Sequence, residues 1–347
     1  MKVSIGVGGA ASGGKRDFDR VVDFVLEAEK LGVDAAWSAE AWGQDGVAPL
    51  AFLAAKTSRI KLGTGILQIS ARTPSMTAMT ALTMAALSDD RFILGLGASG
   101  PQVVEGLQGV PFKAPLSRMR ETVEIIKLAF AGEKLSYSGR FHKLPLPGGE
   151  GKALRLAQPG NANIPIYLAT LGPNSLVYTG EVADGWLGTS FTPEHAGAHL
   201  DYLQEGLKKS DRKLTDLDIQ AGGMVAFGDD LDALVAPLKP GIAFQMGAMG
   251  SAKTNFYNDA FKRGGFEAAA GEIQRLWVNG QREAAVEAVP TDMVVAANLL
   301  GDEAMVLERM RTYRDAGVST LRLQPAGNGI AEQLDTLGRA MDLVKSL

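Results

Sequence analysis

Arg59-Ile60-Lys61-Leu62-Gly63-Thr64-Gly65-Ile66-Leu67, a polar turn from Gln68 to Pro74, a Met/Ala/Leu/Thr run to Leu87, and then Arg91-Phe92-Ile93-Leu94-Gly95-Leu96-Gly97: the reading of this stretch decides the fold. The two outer segments are short and apolar without alternation. That is the pattern of strands covered on both faces in a parallel sheet. Pro74 opens the middle run, where its missing N–H costs nothing, and Ser88-Asp89-Asp90 closes it, so the spacing predicts a helix over 74–87. Each strand ends in small residues, and Ala98-Ser99-Gly100-Pro101-Gln102 forms the loop after the second. Small residues at strand ends let something approach the backbone.

The same alternation extends in both directions. Strands are expected at Lys2–Val7, Asp34–Glu40, Ile164–Thr170, Asp184–Thr189, Leu217–Phe227 and Ser319–Pro325, the seventh with Gly222-Gly223 inside it. Helical spacing of Phe18, Val21, Val22, Val25, Ala28 and Leu31, stopped by Gly32, marks the first helix. Further helices are expected to Thr57, over 116–131, to Val182, over 193–209, over 307–316 and over 330–347. Leu135–Leu144 reads as a small hairpin around Ser138-Gly139. The segment 231–289 is Ala-, Gly- and Met-rich and shows no strand. It reads as helices, with 240–290 an insertion before the last strand. Eight strands alternating with helices predict one (β/α)₈ TIM barrel spanning 1–347, of the α/β class. Such barrels take about 250 residues, more with insertions, and the chain has 347.

The net charge of −4 and the absence of long charged runs argue against nucleic acid as a partner. No apolar run is long enough to span a bilayer, and Met1–Gly9 lacks a signal-peptide pattern. A cytoplasmic enzyme acting on a small molecule is expected. With no cysteine, disulfides, thiolate metal sites and a thiol nucleophile are excluded.

Glu40 stands at the C-terminal end of the second strand, where barrels place chemistry. A carboxylic acid in an apolar cavity has a raised pKa and can act as an acid. The alternative reading is a structural carboxylate paired with a basic residue. Thr170-Leu171-Gly172-Pro173-Asn174 ends a strand and opens a helix, so its free N–H groups and dipole suit an anion. The Gly8–Lys15 loop lacks both the P-loop ending and the dinucleotide-binding spacing, and reads as an active-site loop. His195 and His199 would share a solvated helix face without the third ligand a metal needs. Trp42, Trp186 and Trp277 are candidate walls for a planar cofactor. Arg72 and Lys253 read as surface charges that can meet anions.

Four segments carry a resemblance: Ala36-Trp37-Ser38-Ala39-Glu40, Ile60 to Ile66, Arg91 to Gly106, and Ala183-Asp184-Gly185-Trp186. Together, one per strand and in this order, they resemble the luciferase-like monooxygenase superfamily in its coenzyme F420-dependent oxidoreductase branch. That branch includes the methylenetetrahydromethanopterin reductases and F420-dependent dehydrogenases. The resemblance implies a barrel, often a homodimer, with coenzyme F420 or FMN at its C-terminal mouth. It implies a non-prolyl cis peptide at Gly65-Ile66, in a bulge of Thr64, Gly65 and Ile66 that backs the ring. Gln68 would contact the ring from the same side, and Ser99 and Gly100 its polar edge or ribityl chain. The cofactor phosphate would lie at Thr170, Leu171, Gly172, Pro173 and Asn174, helped by Thr189. Glu40 would be the catalytic group, a proton donor or an acceptor to the ring. The sugar-phosphate dehydrogenases of the branch place an Asp-His pair after strand two; Glu40-Ala41 stands there, so that relay does not carry over. The expected function is hydride transfer between the deazaflavin C5 and a small organic substrate. The alternatives are an FMN-dependent monooxygenase and a non-catalytic flavin- or deazaflavin-binding protein.

Overall fold

A computed structural model describes residues 1–7, 14–250 and 255–347. In chain order the strands are β1 (Lys2–Val7), β2 (Ala35–Ser38), β3 (Lys61–Thr64), β4 (Leu67–Gln68), β5 (Phe92–Gly97), β6 (Tyr137–Ser138) and β7 (Lys143–Leu144). They continue as β8 (Ile166–Ala169), β9 (Gly185–Leu187), β10 (Asp218–Ala221), β11 (Met224–Phe227), β12 (Leu299–Gly301) and β13 (Thr320–Pro325). Eight of them close a parallel ring in the order β1, β2, β3, β5, β8, β9, β10, β13. Closure is the pairing of β13 with β1, from Lys2 opposite Thr320 to Ile5 opposite Leu323. The expected barrel is therefore present. β6 and β7 form the expected antiparallel hairpin. It is anchored on a helix by the buried carboxylate of Glu121, which accepts from the N–H groups of Arg140, Phe141 and His142.

The helices that matter for the site are α1 (Lys15–Leu31), α2 (Ala48–Ala54), α3 (Pro74–Leu87), α4 (Pro101–Val104), α5 (Pro115–Phe130), α6 (Pro173–Val182) and α7 (Gly197–Lys209). α1 buries Val22, Phe24, Val25 and Ala28 and stops at Gly32, whose φ of 100° needs no Cβ. α3 is capped by Thr73, whose side chain accepts from Met76 N–H.

Two expectations are corrected. The seventh strand is not continuous: it breaks at Gly222-Gly223 into β10 and β11. Gly222 has φ 154°, and a Cβ there would stand 2.4 Å from Arg322 O. β10 belongs to the ring, whereas β11 pairs with the far end of β13 and then with β12 outside it. β12 itself is the second correction, because no strand was expected between Phe227 and Ser319. It is three residues long, too short to show periodicity. The expected helix over 193–209 begins as a separate 3₁₀ turn, Pro193–His195.

Three cores result. The largest lies between the ring and its helices. A second joins helices of the 239–297 region around Ile242, Met246, Phe261, Ile273 and Met293. The third fills the barrel lumen with Trp37, Ile93, Tyr167 and Leu187. Below this layer Asp218 accepts hydrogen bonds from Tyr167, Gln220, Ser319 and Thr320. Burial opposes its charge, yet the four donors hold its pKa below the ordinary aspartate value. No helix among the described residues is long and apolar enough to cross a membrane.

Candidate active site

The mouth of the barrel is shaped by an extra residue. Gly63 pairs opposite Ile93 and Leu67 opposite Leu96, so three residues of one strand face two of its neighbour. This is a bulge, which bends a strand and interrupts its ladder. The Gly65–Ile66 peptide inside it is cis, at the position the resemblance implied. The ladder bonds lost by Gly95 are replaced by one side chain. Thr64 Oγ1 donates to Gly95 O and accepts from Gly95 N–H, each at 2.9 Å. A Cβ on Gly95 would lie 1.8 Å from Thr64 O, so only glycine fits opposite the bulge. Trp37 lies beneath, with its Cβ 3.3 Å from where a Cβ on Gly65 would be.

Beside the bulge, Glu40 accepts from Arg72 Nη1 at 2.6 Å, and Arg72 is only 21% exposed. Arg72 is thus corrected from a surface charge to the partner of Glu40. Glu40 also accepts from Gly46 N–H at 3.3 Å and Gln68 N–H at 3.4 Å. Gln68 is buried, and its amide donates to Glu40 O and Ala41 O. Its side chain thereby ties the loop after β2 to the bulge. Arg72→Met should cost about 1–3 kcal/mol, because a nearly buried carboxylate loses its cation. Glu40→Gln in the same chain should recover most of that. A double-mutant cycle by urea unfolding checks this; additive losses would show that the pair is energetically idle.

The Thr170–Asn174 turn, expected to suit an anion, is braced from several sides. Gly172 caps α6 without a side-chain bond. Ser175 and Leu176 N–H return to Gly172 O, while the N–H groups of Gly172 and Asn174 have no backbone partner among the described residues. Thr170 Oγ1 is 2.7 Å from Thr179 Oγ1, and Trp186 Nε1 donates to Thr170 O, so both brace the turn from behind. Arg263 arrives from the helical region and donates to Leu171 O. The next residue, Gly264, meets Thr192 Oγ1 at 3.5 Å. Arg263 therefore bridges the loops after β8 and β9. Three buried polar atoms around this junction lack a partner: Thr189 Oγ1, Ser190 Oγ and Arg263 Nε. Ser190 also holds a left-handed φ of 52°. Non-glycine residues adopt that region at a cost, and such residues cluster at functional sites. Ser99, in the loop after β5, does the same at 59°. Gly100 caps α4, and Gln102 ties that loop to Gly250 O.

His199 corrects a further expectation. It is 1% exposed, packed against Trp186 and Phe191. Burial, with a smaller push from Arg263, brings its pKa down to about 4. The unfolded chain binds this proton from about pH 6.5 downward, whereas the folded chain resists it to about 4. Stability is therefore full above pH 6.5 and falls as pH drops through that window. His199→Leu should flatten that part of the curve. Parallel wild-type and variant melts at pH 7.5, 5.5 and 4.5 test this; identical slopes would rule it out.

Trp186 is buried behind the anion turn, Trp42 is 61% exposed, and Trp277 packs on Phe244 within the second core. Trp37, in the lumen core, lies beneath the bulge. Gly8–Gly13 and Lys253 lie outside the described residues. Among those described, no group of three or more His, Cys, Asp or Glu could hold a metal. Sequence reasoning missed Arg263, which carries no local motif and acquires meaning only from Leu171, 92 positions away.

The luciferase-like monooxygenase model matches residues 1–320. The chain belongs to that family. By family it is an oxidoreductase. It is 40% identical over 323 residues to a Mycobacterium tuberculosis protein with the provisional name coenzyme F420-dependent oxidoreductase, covering 91% of this chain and 92% of the relative. It is 27% identical over 318 residues to the 5,10-methylenetetrahydromethanopterin reductase of Archaeoglobus fulgidus, again covering 91% and 92%. In fold it is similar to the coenzyme F420-dependent tetrahydromethanopterin reductase of Methanopyrus kandleri, with a TM-score of 0.79, 23% identity and 97% of each chain covered. An F420-dependent secondary alcohol dehydrogenase aligns with a TM-score of 0.73 at 15% identity over 99% of each chain.

Proposed function

We propose that this luciferase-like oxidoreductase uses coenzyme F420 and acts on a small organic substrate at the C-terminal mouth of its barrel. The observation that carries the reading is the junction around α6. Buried donors without partners, free N–H groups and the Arg263 cation converge where a phosphate would sit. The name of the relative at 40% identity supports F420 over FMN. When bound, the deazaflavin would supply a carbon that accepts or donates a hydride. The residues do the rest. Thr64, Gly65 and Ile66 present the bulge that backs the ring, and Trp37 supports the bulge from below. The Asn174 N–H, Thr189, Ser190 and Arg263 hold the phosphate, with Gly172 and Pro173 fixing the turn. Ser99 and Gly100 line the approach, and Gln68 fixes the loop after β2. Glu40, held by Arg72, is the group proposed to accept from the ring or carry a proton.

Titration of purified apoprotein with F420 and FMN in parallel, read by tryptophan fluorescence, tests the cofactor. Micromolar or tighter F420 binding with weak FMN binding supports the reading; the reverse overturns it. The proposal includes a homodimer. α3 presents Met76, Met79, Thr83, Ala86 and Leu87 to solvent as one uncharged helical stripe, with Leu87 58% exposed. Sedimentation should give twice the chain mass, and M79E with L87E should halve it.

A further inference from the structure

Arg322 is a cation that the site above does not use. Its neighbours on β13, Leu321 and Leu323, are buried in the core beneath the outer helices. Alternation along a strand therefore turns Arg322 into the barrel. Its Nη2 stands 3.5 Å from where a Cβ on Gly65 would lie. β1 and β2 separate the strands that carry these two residues, so the contact crosses the lumen. Among the described residues Arg322 takes part in no ion pair, and no carboxylate acts on its charge. Its one electrostatic neighbour of note is Tyr257, from the helix Phe256–Phe261, which is itself partly buried. Tyr257 in turn has Arg322 as its electrostatic neighbour.

Arg322 is part-exposed, so its unpaired guanidinium is open to a ligand entering the barrel, and a ligand anion there would gain a charge-assisted partner. The planar fork of the guanidinium matches a carboxylate through two parallel hydrogen bonds. Asp218, a carboxylate of the lumen, is already committed to four other donors. We propose that Arg322, aided by the Tyr257 hydroxyl, receives a carboxylate of the substrate beside the Gly65–Ile66 bulge, so that the substrate is a small organic acid. The role of that acid as substrate rests on the proposed cofactor position at the bulge. Its binding does not.

Benzoate and acetate, with benzamide and acetamide as neutral counterparts, are the probes. Each is titrated into the full-length apoprotein and the F420-loaded protein, read by tryptophan fluorescence because Trp37 adjoins the site. The expected result is saturable acid binding at least tenfold tighter than amide binding. Arg322→Met should weaken it at least tenfold, and Arg322→Lys should restore part. The melting temperature of Arg322→Met should not fall, since the part-exposed guanidinium has no ion-pair partner to lose. Equal binding of acids and amides, or acid binding unaffected by Arg322→Met, overturns the proposal. So does unaltered acid binding with a shifted midpoint potential of bound F420 in Arg322→Met, which would place the anion on the reduced ring. Acid binding that persists in a protein unable to bind F420 would retire the cofactor reading and leave the anion site in place.

Discussion

Replacing Thr64 by valine is expected to destabilise the protein by about 2–5 kcal/mol, and to loosen the surface offered to the ring. The substitution keeps the shape of the side chain and removes one hydroxyl. That hydroxyl both donates to Gly95 O and accepts from Gly95 N–H. Thr64 is fully buried, so no water replaces the lost partner. Each orphaned buried group costs about 1–3 kcal/mol. The urea midpoint should fall with an unchanged slope, the signature of lost stability without a change in the surface exposed on unfolding. Thr64→Ser should recover most of the loss, because it restores the hydroxyl. Cofactor affinity should fall with the valine variant and return with serine. A valine variant within about 0.5 kcal/mol of wild type, the ordinary range for substitutions away from special features, would show that the bulge does not depend on this bond.

Replacing Arg263 by methionine is expected to weaken F420 binding roughly 10- to 150-fold. Hydrogen bonds to charged groups contribute about 1.5–3 kcal/mol, and each 1.4 kcal/mol is about a factor of ten. Arg263 spends one donor on Leu171 O and leaves its buried Nε without a partner, which is what a waiting phosphate ligand requires. The control is the same chromophore without its phosphate. Its affinity should be equally weak in wild type and variant. Equal losses for both ligands would mean that Arg263 acts by packing the two loops together and not by charge. Raising the salt concentration should narrow the gap between the proteins less than for an exposed pair, because the guanidinium is partly buried.

Much of the fold was legible because a parallel barrel writes itself into local sequence. Its strands are buried on both faces and read as unbroken apolar runs, as Phe92–Gly97 shows with all six residues buried. Its helices announce their ends: Pro74 and Pro173 fall in first turns, and Gly32 stops α1. The strand-to-helix turn at Thr170–Asn174 was legible for the same reason, since a strand end, a glycine and a helical proline lie side by side in the chain. The bulge at Gly65–Ile66 came from resemblance to a family, because no local rule marks that peptide.

What the sequence by itself determined was the alternation of elements, hence a closed ring whose C-terminal rim carries Glu40 and the Thr170–Asn174 turn. Only the tertiary structure decided which charges stand beside them. Arg72 became the partner of Glu40, Arg263 reached Leu171 and Arg322 reached Gly65 because closing the ring and laying the 239–297 helices near it brings distant residues within a few ångströms. His199 became a core residue by the same route, since burial depends on what another segment places on top. Periodicity records the face a side chain occupies on its own element. The partner it meets there is fixed by closure, and closure is a property of the whole chain.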